Sequence, residues 1–178
     1  MLLSYIVYIF EGKNRDMIAK CLASVILIIV GLSTTLHASC TKEQEKSFGN
    51  LRISHGWLRA MLKGNNSSGY LRVQNLGSTD ARLISVKADF AEKSTLHIMR
   101  EEYGVMRMIP LMDGVVIPAE STVDFLPGAL HIMFMKLNTQ LLVNEIKKVV
   151  LSFETVGSTS ISFCVEKITA KNYYSLDK

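Results

Sequence analysis

His97-Ile98-Met99 and His131-Ile132-Met133 repeat one pattern, an imidazole with a thioether two residues later, and Met106 and Met108 follow the first pair closely. Thioether sulfur is a soft neutral donor and imidazole a borderline one. Together, without thiolate or carboxylate, they favour Cu(I) over zinc, calcium or magnesium. Zinc sites ordinarily draw on Cys, His or carboxylate. Hard cations want clustered oxygens, and no oxygen cluster stands out in this sequence. Neutral donors also suit an oxidising compartment, because disulfide formation does not consume them. The competing reading is methionine as core filler, its commoner use. That packing role is the expectation for Met61, Met112 and Met135, while Met106 stays open between the two. His97, Met108, His131 and Met133 are the candidate metal ligands, and spacing alone leaves metal binding and packing evenly matched.

Short β-like runs separated by turn residues must position these donors. From Leu51 onward, "LRISHGWLRAM", "YLRVQN", "ARLISVKA", "STLHIMR", "GVMRMIPL", "STVDFL", "LHIMFMKL", "KKVVLSFET" and "TSISFCVEKI" alternate with signals such as "KGNNSSG", "LGSTD" and "VGS". Many short strands with regular turns predict an all-β sandwich or barrel. No sustained helical period competes, although "NTQLLVNEI" leaves room for one helical turn. Alternate side chains on a strand point to opposite faces. His97 therefore shares a face with Met99, Met106 with Met108, and His131 with Met133 and Met135. "HIMREEYGVMRM" reads as a hairpin with "EEYG" as its turn, which sets His97 and Met99 beside Met106 and Met108. His55 is expected at the surface or a strand edge, and Trp57 in the core.

The bulk properties exclude other classes. The chain has 178 residues and a formal charge of +4, which fits one domain after removal of a leader. No basic run is interleaved with aromatics, so nucleic-acid binding has no support. The leader itself is expected in residues 1–38. Lys20 precedes the apolar "CLASVILIIVGL" and the small-residue stretch "STTLHAS", the order of a secretory signal peptide. Cleavage is expected after Ala38 or Ser39, and a start at Met17 would give a leader of normal length. Export to the periplasm follows, with membrane anchoring the lesser alternative. Cys40 lacks the aliphatic residue three positions before it that a lipidation signal wants, since His37 stands there. Cys40 and Cys164 remain in the mature chain and can pair in an oxidising compartment. Residues 39–50 are expected to be a flexible lead-in, 51–168 the domain and 169–178 a tail. No Ser/His/Asp or Cys/His arrangement or CxxC motif is legible, so the chain reads as no enzyme.

From about Leu51 to Glu166 the chain resembles the periplasmic copper chaperone family PCuAC. The family motif is a His, ten residues, a Met, about twenty-one residues, then His-x-Met. His97, ten residues and Met108 match directly; twenty-two residues then precede His131-Ile132-Met133, one more than usual. The extra residue is placed in "LMDGVV", read as a loop. "GWLRAM", "GYLRVQNLG" and "VIPAESTVDFLPGALHIMFMKL" resemble the family as well. The resemblance implies a cupredoxin-like, immunoglobulin-like Greek-key β-sandwich with His97, Met108, His131 and Met133 holding Cu(I). It implies a monomer that supplies copper to a respiratory oxidase subunit, for CuA assembly in cytochrome c oxidase, or to another copper chaperone. Met99 has the parity of a neighbouring or alternate ligand. The alternatives are a metal-free exported β-sandwich binding module with core methionines, and a blue-copper electron carrier, which would need a Cys ligand.

Overall fold

A computed structural model describes Cys40 and residues 45–171. The expectations for the leader, the signal cleavage point and residues 172–178 of the tail lie outside the described residues. The described chain is all-β, with β1 (Lys46–Phe48), β2 (Leu51–Arg59), β3 (Ser67–Asn75), β4 (Ala81–Lys87), β5 (Ala91–Glu102) and β6 (Val105–Pro110). β7 (Val115–Ile117), β8 (Thr122–Asp124), β9 (Leu130–Leu137), β10 (Ile146–Phe153) and β11 (Gly157–Glu166) complete it. Hydrogen bonds link nine of them in the order β6-β5-β9-β3-β2-β11-β10-β4-β7, with β1 added to β2 and β8 to β3. The β11–β2 pair is parallel and every other pair is antiparallel.

Alternation builds one core from this path. Leu83 and Val86 of β4, Leu96 of β5, Ile132 and Phe134 of β9, Leu151 of β10 and Phe163 of β11 are all buried in a single cluster. Strands from opposite ends of the order thus share one apolar interior, as a sandwich requires. Phe134 sits at its centre, 5.0 Å from the Phe90 ring and 6.3 Å from Phe163 between centroids.

Gly69 lets β9 approach. It faces Ile132 in the β3–β9 register, and a Cβ there would fall 2.6 Å from the Phe134 ring and 3.3 Å from that of Phe163. The glycine therefore seats the strand whose other face carries His131 and Met133.

Three local expectations need correction. β1 forms inside the stretch expected to be loose, because Lys46, Ser47 and Phe48 pair with Ile53, Arg52 and Leu51, and Phe48 packs against the core. β7 begins within "LMDGVV", which is therefore not all loop: Val115 and Ile117 are buried and pair with Leu83 and Ala81 of β4. In the β5–β6 hairpin, Glu101 and Glu102 are still strand residues, and the turn is Tyr103-Gly104. Both have positive φ, 54° and 77°, as a two-residue type I′ turn demands.

Cys40 and Cys164 are joined in a disulfide with a Cα separation of 5.5 Å, so the segment before β1 is tied to β11 across 124 residues of sequence.

Candidate metal centre

β5 and β9 lie side by side, and their register sets His97 directly opposite His131. β6 flanks β5 on the other side, with Met99 opposite Met108. Residues opposite one another in a ladder share a face. His97, Met99, Met108, His131 and Met133 therefore lie on one face, turned away from Leu96, Ile132 and Phe134. The expected grouping holds for Met99 and Met108 and fails for Met106, which faces Glu101; Pro110 stands opposite His97. The cause is the hairpin turn, which uses only two residues and so moves the pairing along.

The two imidazoles are oriented by polar groups that sequence spacing did not reveal. His131 Nδ1–H donates to the Ala129 carbonyl at 2.9 Å. This fixes the tautomer that leaves a lone pair on Nε2. That Nε2 lies 3.3 Å from Met108 Sδ, so in the neutral ring a nitrogen and a sulfur lone pair face each other. Two donors bound at about 2.0 and 2.3 Å to one tetrahedral ion stand roughly 3.5 Å apart. The pair is therefore spaced as a ligand pair is. Thr95 Oγ1 directs its proton towards Met135 Sδ at 3.9 Å and accepts from His97 Nδ1–H at 3.3 Å. His97 Nε2 is left available in the same way. The rings stack with centroids 5.9 Å apart and planes at 22°.

Burial is graded across the cluster. His97 and His131 are only 9% and 6% exposed, whereas Met108 is 48% exposed. Met99 and Met133 are half-buried, Met133 opposite Thr95 on β5 and Ser68 on β3. Burial of both histidines fits a packing role. The lone pair of His131 turned to sulfur, with no hydrogen-bond donor supplied, is what a packing role does not account for. The methionines assigned to packing divide. Met61 packs against the core. Met135 is half-buried beside Thr95 on the histidine face. Met112 is 84% exposed and is not a core residue, because it sits in the turn between β6 and β7. Among the described residues no group of three or more His, Cys, Asp or Glu gathers, so a hard-cation or zinc cage is not formed there.

Burial, reinforced by the His131 ring and Lys93 and opposed by a backbone hydrogen bond at Thr95, holds the His97 imidazole below its ordinary value. The unfolded chain then takes up a proton at a pH where the folded chain does not. The metal-free protein should lose stability as pH falls from about 6.5 towards the lowered folded value. His55, held down chiefly by burial in a bulge of β2, acts in the same direction. Urea unfolding between pH 7.5 and 5.5 should show a shallower pH slope for His97→Gln than for the parent chain, and equal slopes would contradict the assignment.

Fold and cluster together define a class: an all-β, cupredoxin-like domain with imidazole and thioether donors gathered on one face of neighbouring strands. The chain belongs to the LpqE-like family, whose model, described as "Putative lipoprotein LpqE-like", matches residues 51–165. It is similar to "Putative lipoprotein Lxx21020" of Leifsonia xyli subsp. xyli, 27% identical over 159 residues, 89% of this chain and 95% of the relative. Among solved structures it is similar to the copper-bound PCuAC domain from PmoF2, with 28% identity, a TM-score of 0.58 and coverage of 69% of this chain and 97% of that one. The apo form of that domain gives a TM-score of 0.60 at 28% identity, covering 72% and 98%. The CuI form of DR1885 from Deinococcus radiodurans, 19% identical with a TM-score of 0.52 and coverage of 71% and 83%, shares the fold. The chain is thus a PCuAC-type domain and not an enzyme.

Proposed function

We propose that this protein is an exported Cu(I)-binding metallochaperone of the periplasm, with His97, Met108, His131 and Met133 as ligands, that delivers copper for assembly of the CuA centre of cytochrome c oxidase. The observation that carries the reading is the Nε2–Sδ approach of His131 and Met108, two neutral donors aimed at each other. Softness of the donor set favours the monovalent ion. Solved PCuAC domains described as copper-bound support copper as the cargo. Exposed Met108 on β6, at one end of the strand order, suits release, because a recipient's ligand can displace a surface thioether before the buried imidazoles let go. Engagement of Cys40 with Cys164 supports a lipid-free N-terminus, since one sulfur cannot carry both bonds.

The test uses protein recovered from the periplasmic fraction after expression with its native leader. Its mass should show the leader removed, and competition with a chromophoric chelator should show one equivalent of Cu(I) held. Mixing the loaded protein with an apo CuA domain should move the copper to that domain. Absence of binding would return the methionines to packing, and binding without transfer would point to another recipient. The burial of both histidines favours a second reading, the metal-free binding module, for which no Cu(I) would be retained.

A further inference from the structure

Glu166 is fully buried and serves no part of the copper reading. Its Oε1 lies 3.9 Å from Cys164 Sγ, and its Oε2 has no hydrogen-bond partner among the described residues. A buried carboxyl without a partner is costly and calls for a reason. The neighbouring sulfur cannot supply one while it is in the disulfide, because a disulfide sulfur has no proton to give. Once reduced, Cys164 becomes an S–H donor within reach of the carboxylate. The pocket is therefore better matched to the thiol than to the disulfide. The two sulfurs also differ in access: Cys164 is fully buried, and Cys40 is half-buried.

We propose that Cys40–Cys164 is an exchangeable disulfide that external dithiols reduce, with attack at Cys40 and with Glu166 as the acid for the departing Cys164. An incoming thiolate forms a bond to Cys40 Sγ. The Cys40–Cys164 bond breaks, its electron pair goes to Cys164 Sγ, and that sulfur takes the Glu166 carboxyl proton. The second thiolate of the dithiol then attacks the mixed disulfide and releases Cys40 as a thiolate. The dithiol is oxidised to a disulfide, Cys164 is left as a thiol, and the Cys40 thiolate and the Glu166 carboxylate take their protons back from solvent. Burial, partly offset by Lys167, pushes the Glu166 carboxyl above its ordinary value, which favours the protonated form that donates. β3 and β2 separate this site from β9 in the strand order. Reduction frees the Cys40 end of the chain from β11, a tether whose release answers to thiols and not to copper.

The experiment follows reduction of the full-length oxidised chain by dithiothreitol, counting free thiols without denaturant. The native chain should be reduced, and the first adduct formed with the monothiol glutathione should map to Cys40. Glu166→Gln should slow reduction about tenfold at pH 7, less than the usual general-acid factor because a thiolate already leaves readily. Glu166→Leu, which removes the S–H acceptor altogether, should shift the equilibrium with dithiothreitol about tenfold towards the disulfide. Resistance to reduction until the chain unfolds, an adduct on Cys164, or parental behaviour in both variants would overturn the proposal.

Discussion

His131→Ala should weaken Cu(I) binding at least a hundredfold, about 2.7 kcal/mol, measured by chelator competition at neutral pH. The floor comes from outer groups: partners that merely orient a metal-binding histidine typically cost 10–100-fold when removed, and a direct ligand should cost more. His131 has the strongest claim to that role. Its Nδ1 is committed to Ala129, its Nε2 faces Met108 Sδ, and its ring stacks against His97. Alanine takes away both the nitrogen donor and the wall that holds Met108 in place. Thr95→Val removes only the hydroxyl that orients His97 and should cost about tenfold. Affinity equal to the parent's in His131→Ala would return the cluster to a packing role. The fold should survive, because the variant leaves Ile132 and Phe134 on the opposite, core-facing side of β9.

Loss of the disulfide should produce the largest change in stability. A crosslink that spans 124 residues removes much of the unfolded chain's freedom. The chain-entropy model gives about 4.7 kcal/mol for a loop of comparable length, and measured losses usually fall in the range of about 2–5 kcal/mol. Cys40→Ala should therefore lower the thermal midpoint by roughly 10 °C, at a few degrees per kcal/mol for a domain of this size. Cys164→Ala should cost more. It breaks the same crosslink, leaves a space at a fully buried position, and denies Glu166 the S–H donor that Cys40→Ala would leave in place. Calorimetry of the two single variants against the parent separates crosslink from local packing. Equal midpoints for all three would mean that the tether contributes nothing to the folded state.

How far the metal cluster could be read from residues alone differs from donor to donor. His131 and Met133 are two apart on a strand, so their common face follows from the pleat. Met108 stands opposite Met99 because Tyr103 and Gly104 make a two-residue turn, and a four-residue turn would have left it on the same face opposite His97. Reading "EEYG" as the turn sets Met106 opposite Met99 and Met108 opposite His97, places that Met108 and Pro110 take in the ladder. A type I′ turn favours Asn, Asp or Gly at its first position, and Tyr103 stands there instead, so composition points to a turn without setting its length. β1 and β7 were missed for a related reason. Each is a three-residue strand, too short to show alternation, and each is held by pairing with a partner strand.

Residue order alone determined the chemistry on offer and its local arrangement. Soft neutral donors, strand alternation and the presence of two cysteines outside the leader-like segment are properties of side chains and of covalent geometry, and they act over a few residues. The tertiary structure decided which strands became neighbours. It brought β9 against β5 across three intervening strands of sequence, turned His131 Nε2 towards Met108 by means of a backbone carbonyl, and buried Glu166 beside the disulfide. Those outcomes depend on non-local hydrogen bonding and on main-chain groups that every residue carries, which is why no spacing in the sequence announces them.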